Sequence, residues 1–263
     1  MLKLSEQRIV ESKEALMSIP EGKVLINTIN AHSYNTAQTD DLFAESLETA
    51  DNRQLAVDTD CVKYMIPDGA SIIMACRWLG GVSRPKERIA GWNLFELEMQ
   101  RLNERGRKRG TMYKVMFMGS SDMVLAKIKA RAAVDYPNLE VVTYSPPYKP
   151  VFSDEDNRNI INAVNGTKPD LLWIGMTAPK QEKWTYRHWG ELDIHCHVGT
   201  IGAVFDFYAG TARRAPLSWQ KCSLEWLYRL IREPRRMWRR YLVGNPLFLQ
   251  NICKERTLIR RKH

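Results

Sequence analysis

The sequence predicts an α/β chain, a mostly parallel sheet with flanking helices, followed by a basic helical C-terminal appendage. Three observations carry this. From Tyr113 onward short apolar runs alternate with helical stretches of roughly 12 residues, the signature of βαβ units. The stretch Asp170–Trp184 passes from an apolar run to a helix start within about three residues, as βα loops do. Near residue 211 the composition changes: residues 211–263 carry 14 Lys/Arg against 3 Asp/Glu, while the rest of the +9 chain is nearly neutral. Residues 1–210 are therefore read as the core and 211–263 as the appendage.

The elements follow in order. Residues 3–18 have the spacing of a short amphipathic helix, and Val24 to Ile29 reads as a strand. Thr39 to Leu47 reads as a helix capped by Thr39, and Leu55 to Val57 as a short strand. Tyr64 to Pro67 is extended, and Ala70 to Leu79 has a helical pattern. Gly91 to Arg105 is a helix that Gly106 ends. The strand Tyr113 to Met118 leads into a helix from Asp122 to about Val134, and the strand Leu139 to Tyr144 into a helix from Asp154 to Val164. Leu171 to Met176 is a buried strand, with Thr177 as cap and Pro179 in the first turn of the next helix. Ile194 to Val198 is the last strand. In the tail Pro234 starts the second of two helices.

Several classes fall away. No run of about 18 apolar residues spans a membrane, and the charged N-terminus lacks the apolar stretch of a secretory signal. Five scattered cysteines without a CxxC fit reduced thiols in a cytosol. The missing GxGxxG fingerprint counts against a nucleotide-dependent oxidoreductase.

The chemistry-bearing residues each have a plain reading beside a functional one. Gln181, in the first turn beyond a strand, can donate to and accept from a sugar hydroxyl, or is simply solvated there. The Gly119-Ser120-Ser121 turn is an anion site or an ordinary βα turn. Asp58 and Asp60 have the spacing of a Mg²⁺ or Mn²⁺ pair and equally that of a polar loop. Asp68 caps the helix that follows, which sequence alone favours, or serves as a general base. His195 and His197 alternate on a strand, and no third ligand is apparent. In the tail Trp226, Leu227, Leu230, Ile231, Trp238, Tyr241 and Leu242 recur at helical spacing, with arginines filling much of the opposite side. That pattern reads as a membrane-surface element, with a nucleic-acid-binding module as the rival.

Taken together, the segments resemble a bacterial glycosyltransferase of the WecG/TagA/CpsF family, glycosyltransferase family 26. The matches, in family order, are Thr28-Ile29-Asn30, Pro67-Asp68-Gly69, Arg88-Ile89-Ala90-Gly91, Gly175-Met176 through Pro179-Lys180-Gln181-Glu182, Gly202 through Phe205-Asp206, Arg214-Ala215-Pro216 and Leu224 through Arg229. Pro67 stands where Ala is common, and Gly199-Thr200-Ile201-Gly202 varies the usual glycine-rich turn. The resemblance implies a Rossmann-like fold and an inverting, metal-independent transferase without a cofactor. It would move a hexose from a UDP-sugar to a polyprenyl-diphosphate-linked saccharide in exopolysaccharide or other cell-surface glycan assembly. The expected place is the cytoplasmic face of the bacterial inner membrane, peripherally bound to anionic lipid. By position it implies Asp68 as the base, Thr28, Asn30 and Gln181 in the substrate pocket, and Asp206 and Tyr148 at the nucleotide; Gly119 and Ser120, from the anion-site reading of their turn, are placed at the nucleotide as well. Arg229, Arg232 and Arg235 would bind an acceptor diphosphate. The Ser145–Pro150 and Met176–Pro179 segments look closest to the xanthan-type branch, which favours UDP-glucose, with UDP-N-acetylmannosamine as the alternative. No nucleic-acid partner is expected, and a homo-oligomer is left open.

Overall fold

The computed structural model describes residues 1–49, 62–216, 218–219 and 224–262, the side chains of Arg236 and Lys262 excepted. Its frame is a six-stranded parallel sheet in the order β2-β1-β6-β5-β3-β4. The strands are β1 (Val24–Ile29), β2 (Val62–Pro67), β3 (Tyr113–Gly119), β4 (Leu139–Tyr144), β5 (Leu171–Gly175) and β6 (His197–Thr200). Helices α4 (Ala70–Leu79), α5 (Gly91–Arg109), α6 (Asp122–Asp135), α7 (Asp154–Thr167), α8 (Lys180–Arg187) and α9 (Gly202–Tyr208) flank it. The expected Rossmann-like architecture is therefore the observed one.

The strand pleat sorts the core into two layers, because successive side chains point to opposite faces. Val115, Phe117, Leu171 and Trp173 pack with Leu94, Phe95 and Met99 of α5 and Ile128 of α6. Their alternates Met116, Met118, Leu172 and Ile174 pack with Ile160, Ile161 and Val164 of α7 and Trp184 of α8. Both faces are covered, which is why these strands read as continuous apolar runs.

Several local expectations change. Residues 3–18 do not form one helix: Leu4–Glu6 is a 3-10 turn and α1 spans only Lys13–Met17. Between them the chain is extended, with Ile9 bridging Met65 and Val10 N donating to Met65 O over 2.8 Å. A helix α2 (Ala31–Thr36), capped by Asn30, precedes α3 (Asp41–Leu47), whose cap is Asp40 rather than Thr39. Gly106 lies inside α5, where a Cβ would meet Thr111 O at 2.8 Å, and Gly110 in the left-handed region ends the helix. The last strand begins at His197 and runs to Thr200, and α8 is preceded by Pro179 without a side-chain cap from Thr177. The candidate strand Leu55 to Val57 lies outside the described residues.

The tail divides physically in two. Helices α10 (Glu225–Arg232) and α11 (Pro234–Trp238), followed by a π-helical turn at Arg239–Val243, bury little beyond Met237. The terminal helix α12 (Gly244–Lys262) packs against α2 and α4, burying Phe248 and Ile252 beside Tyr34, Ile72 and Leu79. Phe248 meets the Tyr34 ring edge-on at 5.4 Å.

Candidate functional site

In an open parallel sheet the ligand crevice lies beyond the carboxyl ends of the strands. Here β1 and β2 end side by side, Ile29 opposite Pro67, and Asp68 N donates to Ile29 O over 2.8 Å. That register brings Asn30 and Asp68 together at one rim. Asn30 Oδ1 accepts from His32 N and Ser33 N at 3.0 and 3.1 Å, so its carbonyl caps α2. Its amide nitrogen makes no hydrogen bond among the described residues and is left for another acceptor. Thr28 is half-buried one step below, opposite Ile66, where its methyl would lie 3.6 Å from a Cβ on Gly91.

Asp68 is not the cap of α4. That position belongs to Gly69, with no side-chain hydrogen bond, so the capping explanation of the aspartate falls away. Instead Asp68 Oδ1 accepts from Arg88 Nη2 at 3.2 Å, and the same nitrogen donates to Glu225 Oε2 at 3.0 Å. Arg214 Nε lies 4.0 Å from the other oxygen of Glu225, and its guanidinium stacks 5.1 Å from the Trp92 ring centroid. The Asp68 side chain retains 28 % exposure. Burial raises its pKa above the ordinary aspartate range and the Glu225 charge adds to this, while Arg88 and Arg240 pull it down. A carboxylate whose proton affinity is raised, at an open rim and committed to no helix cap, suits a general base.

Gln181 is placed differently from a solvent-facing pocket residue. It is 4 % exposed, its Oε1 accepts from Met176 N at 3.1 Å, and its Nε2 donates to Glu182 Oε1 at 2.8 Å. A Cβ on Gly202 would lie 2.9 Å from Gln181 Oε1 and 2.5 Å from Met176 O, so only glycine lets the ends of β5 and β6 close on this amide. Glu182 is 2 % exposed, its Oε2 has no hydrogen-bond partner among the described residues, and burial pushes its pKa up to about 7.

The remaining candidates spread along the rim. Gly119 ends β3 at φ 122°, where a Cβ would strike Gly175 O at 2.4 Å, and Ser120 follows at φ 59°. The Ser120 carbonyl accepts from Ser145 Oγ at 2.9 Å. Tyr148 stands fully in solvent. Asp206 is exposed on α9, its Oδ1 accepting from Thr211 Oγ1 at 3.2 Å. No hydrogen bond or ion pair joins Arg229, Arg232 or Arg235 to Asp68, Asn30 or Gln181 among the described residues; Arg232 stacks on Tyr228 at 5.6 Å. Asp58 and Asp60 lie outside the described residues. Among the described residues no group of three or more His, Cys, Asp or Glu could hold a metal ion. His197 is buried and bonded to Glu98 and Pro20, and His195 is exposed.

Sequence reasoning did not single out Arg88, Arg214 or Glu225. Their segments, Arg88–Gly91, Arg214–Pro216 and Leu224–Arg229, carry the family resemblance, and that was the available signal.

A doubly covered parallel sheet with a carboxylate and arginines at its carboxyl rim places the chain among α/β proteins whose crevice lies beyond the strand carboxyl ends. Residues 2–262 match the glycosyl transferase WecG/TagA/CpsF family, and the chain belongs to that family of glycosyltransferases. It is similar to two Bacillus proteins named N-acetylglucosaminyldiphosphoundecaprenol N-acetyl-β-D-mannosaminyltransferase. The Bacillus spizizenii protein is 27% identical over 76% of this chain and 72% of its own length. The Bacillus subtilis protein is 28% identical over 73% and 69%. A Staphylococcus aureus protein of the same name is 24% identical over 90% of this chain and 83% of its own. The names of these relatives specify transfer of N-acetylmannosamine, where the sequence reading expected glucose.

Proposed function

We propose that this glycosyltransferase moves N-acetylmannosamine from its UDP-activated form to a polyprenyl-diphosphate-linked N-acetylglucosamine. The observation that carries the reading is the shared name of relatives that align over as much as 90% of the chain. The rim supplies chemistry for it. Asp68 removes the proton from the acceptor hydroxyl as that oxygen attacks the anomeric carbon, and UDP leaves from the opposite face. A nucleotide α-sugar giving a β-linked product requires one such inverting displacement. Asn30, through its unused amide nitrogen, and Thr28 orient sugar hydroxyls beside the base. The Gly119-Ser120 turn, Tyr148 and Asp206 line the nucleotide side of the crevice. Arginines and backbone N–H groups, such as those of the Gly119-Ser120 turn, balance the charge that develops on the leaving diphosphate, so the reaction proceeds without a divalent cation.

The protein works peripherally at the cytoplasmic face of the membrane that holds its acceptor. Supporting this, no helix of the described residues is long and apolar enough to cross a membrane, while α10, α11 and the π-helical turn after them expose Trp226, Ile231, Trp238 and Leu242 among arginines. A panel of UDP-sugars offered with a synthetic polyprenyl-diphosphate N-acetylglucosamine acceptor, in the presence of EDTA, tests the reading. Turnover with UDP-N-acetylmannosamine in EDTA is expected. Turnover with UDP-glucose alone overturns the donor, and a requirement for added Mn²⁺ or Mg²⁺ overturns the metal-free mechanism.

A further inference from the structure

Arg88 is shared in an unusual way. One nitrogen, Nη2, serves two carboxylates from opposite ends of the sequence, Asp68 at 3.2 Å and Glu225 at 3.0 Å. Its Nε is buried with no hydrogen-bond partner among the described residues. A guanidinium facing a single carboxylate pairs through two parallel N–H bonds, the stronger geometry. Here that fork is not made with Asp68, because Glu225 holds the same nitrogen from the other side. Glu225 is in turn flanked by Arg214, 4.0 Å away and packed on Trp92. All of these side chains are largely shielded from solvent, with 28 % exposure for Asp68, 26 % for Arg88 and 14 % for Glu225, so their mutual charges are weakly screened.

We propose that Glu225 is a positioning residue for the transfer: it draws the Arg88 guanidinium away from Asp68 and thereby makes the base depend on α10 being in place. The inference rests on the reading of Asp68 as the base. With α10 docked, Arg88 divides its charge between two carboxylates and Asp68 keeps affinity for the acceptor proton. Without the Glu225 charge, Arg88 turns its free Nε and its Nη2 together onto Asp68, and the carboxylate becomes a weaker base with its lone pairs occupied. Among the described residues the charged groups facing Asp68 are Arg88 from the loop before α5, Arg214, Glu225 from α10 and Arg240 from the turn after α11. Arg214 faces Glu225 and balances it. Only Glu225 among them is negative. Its removal therefore lowers the proton affinity of Asp68, both by losing the repulsion and by freeing Arg88.

A plain structural role for the same contact, a partly buried ion pair stapling α10 to the core, changes melting temperature and acceptor KM and leaves the acid limb of the pH profile in place. The pH dependence of kcat/KM therefore separates the two. It is measured with UDP-N-acetylmannosamine and the synthetic acceptor for the full-length wild type, Glu225→Gln, Glu225→Asp and Asp68→Asn, each checked by thermal melting. The expected result is an acid limb at lower pH and a lower plateau in Glu225→Gln, both moving back toward wild type in Glu225→Asp. A Glu225→Gln limb superimposed on the wild-type limb overturns the proposal, whatever its KM or melting temperature. Asp68→Asn keeps the two failures distinguishable. If it is inactive while the Glu225→Gln limb stays in place, only the coupling fails; if it retains turnover, the base reading and the coupling fail together. Where Glu225→Gln turns over too slowly to profile, infrared difference titration of each background against its Asp68→Asn counterpart reads the same carboxyl directly. A titration displaced to lower pH in Glu225→Gln supports the proposal, and an unmoved one overturns it.

Discussion

The Tyr34 hydroxyl donates to Glu255 Oε2 over 2.7 Å, joining α2 to the last helix of the chain. The same buried carboxylate accepts from Leu4 N at 3.1 Å and Ser5 N at 2.7 Å. Glu255 thus closes the N-terminal segment, α2 and α12 into one unit. Glu255→Ala orphans three buried donors at about 1–3 kcal/mol each, so it costs at least about 3 kcal/mol of stability. Equilibrium urea unfolding checks this, and Tyr34→Phe, which deletes one of the three bonds, costs less.

The packing of α12 also decides how membrane binding is tested. Deleting residues 211–263 removes Phe248 and Ile252 from the core along with the exposed arginines. Arg232 and Arg235 are exposed, so their neutralisation changes surface charge and leaves the core intact. Each basic residue near an anionic surface contributes about 1 kcal/mol, so Arg232→Gln with Arg235→Gln weakens binding to anionic liposomes roughly thirtyfold. Liposome flotation at low and high salt reads the loss. Flotation equal to wild type at low salt contradicts the assignment.

His197 and Glu98 form a buried pair at 3.1 Å on the side of the sheet away from the rim, with His197 Nε2 also 2.9 Å from Pro20 O. Burial disfavours the imidazolium, but the hydrogen bond and charge of Glu98 outweigh it and raise the His197 pKa. For Glu98, burial is outweighed by His197 and Arg101, and its pKa is lowered. A raised histidine stabilises fully below its unfolded value of 6.5 and loses that contribution as pH rises through the folded value. A depressed glutamate stabilises fully above 4.5 and loses its contribution as pH falls through the folded value. The pair therefore contributes most between about pH 4.5 and 6.5. Glu98→Gln leaves the imidazolium without its counter-charge, costs about 3 kcal/mol in that window and flattens the alkaline decline. Denaturant melts from pH 5 to 9 check both.

Glu182 adds a loss of stability in the same direction, and Gln181 braces the rim beside it. Glu182 is ionised above 4.5 when unfolded and stays protonated up to about pH 7 when folded, so stability falls as pH rises through that interval. Glu182→Gln removes the fall and gains roughly 3 kcal/mol above pH 7, at 1.36 kcal/mol per unit of pKa. Gln181→Ala orphans Met176 N and loses stability by about 1–3 kcal/mol as well as turnover, because its amide braces the rim. Melts of the two variants at pH 5 and 8 separate these effects.

Much of the fold was legible because punctuation and period agreed. The bounds of β1, β4 and α4 match the expected ones residue for residue, α4 being fenced by Gly69 and Gly80. The failures have local causes. Ala31–Thr36 is polar enough to read as a turn, yet the reciprocal Asn30–Ser33 cap makes it a helix. Residues 8–11 carry helical spacing, but pairing of Ile9 with β2 wins over it. Helix α12 was hidden in a basic tail because its buried face needs Tyr34 and Leu4, which lie more than 200 positions away. At the rim, the position of Asp68 after a strand favoured a helix cap, and only the family resemblance pointed to it as a base. The Arg88–Glu225 contact, 137 positions apart, exists only in the folded chain.

The central claim is that Asp68 takes the acceptor proton, and turnover of Asp68→Asn tests it most directly. Asparagine keeps the shape and an oxygen for Arg88, Glu225 still partners that guanidinium, and no helix cap is lost. The account predicts an unchanged melting temperature with kcat lower by at least about 10²-fold. A folded Asp68→Asn protein with near-wild-type kcat would contradict it.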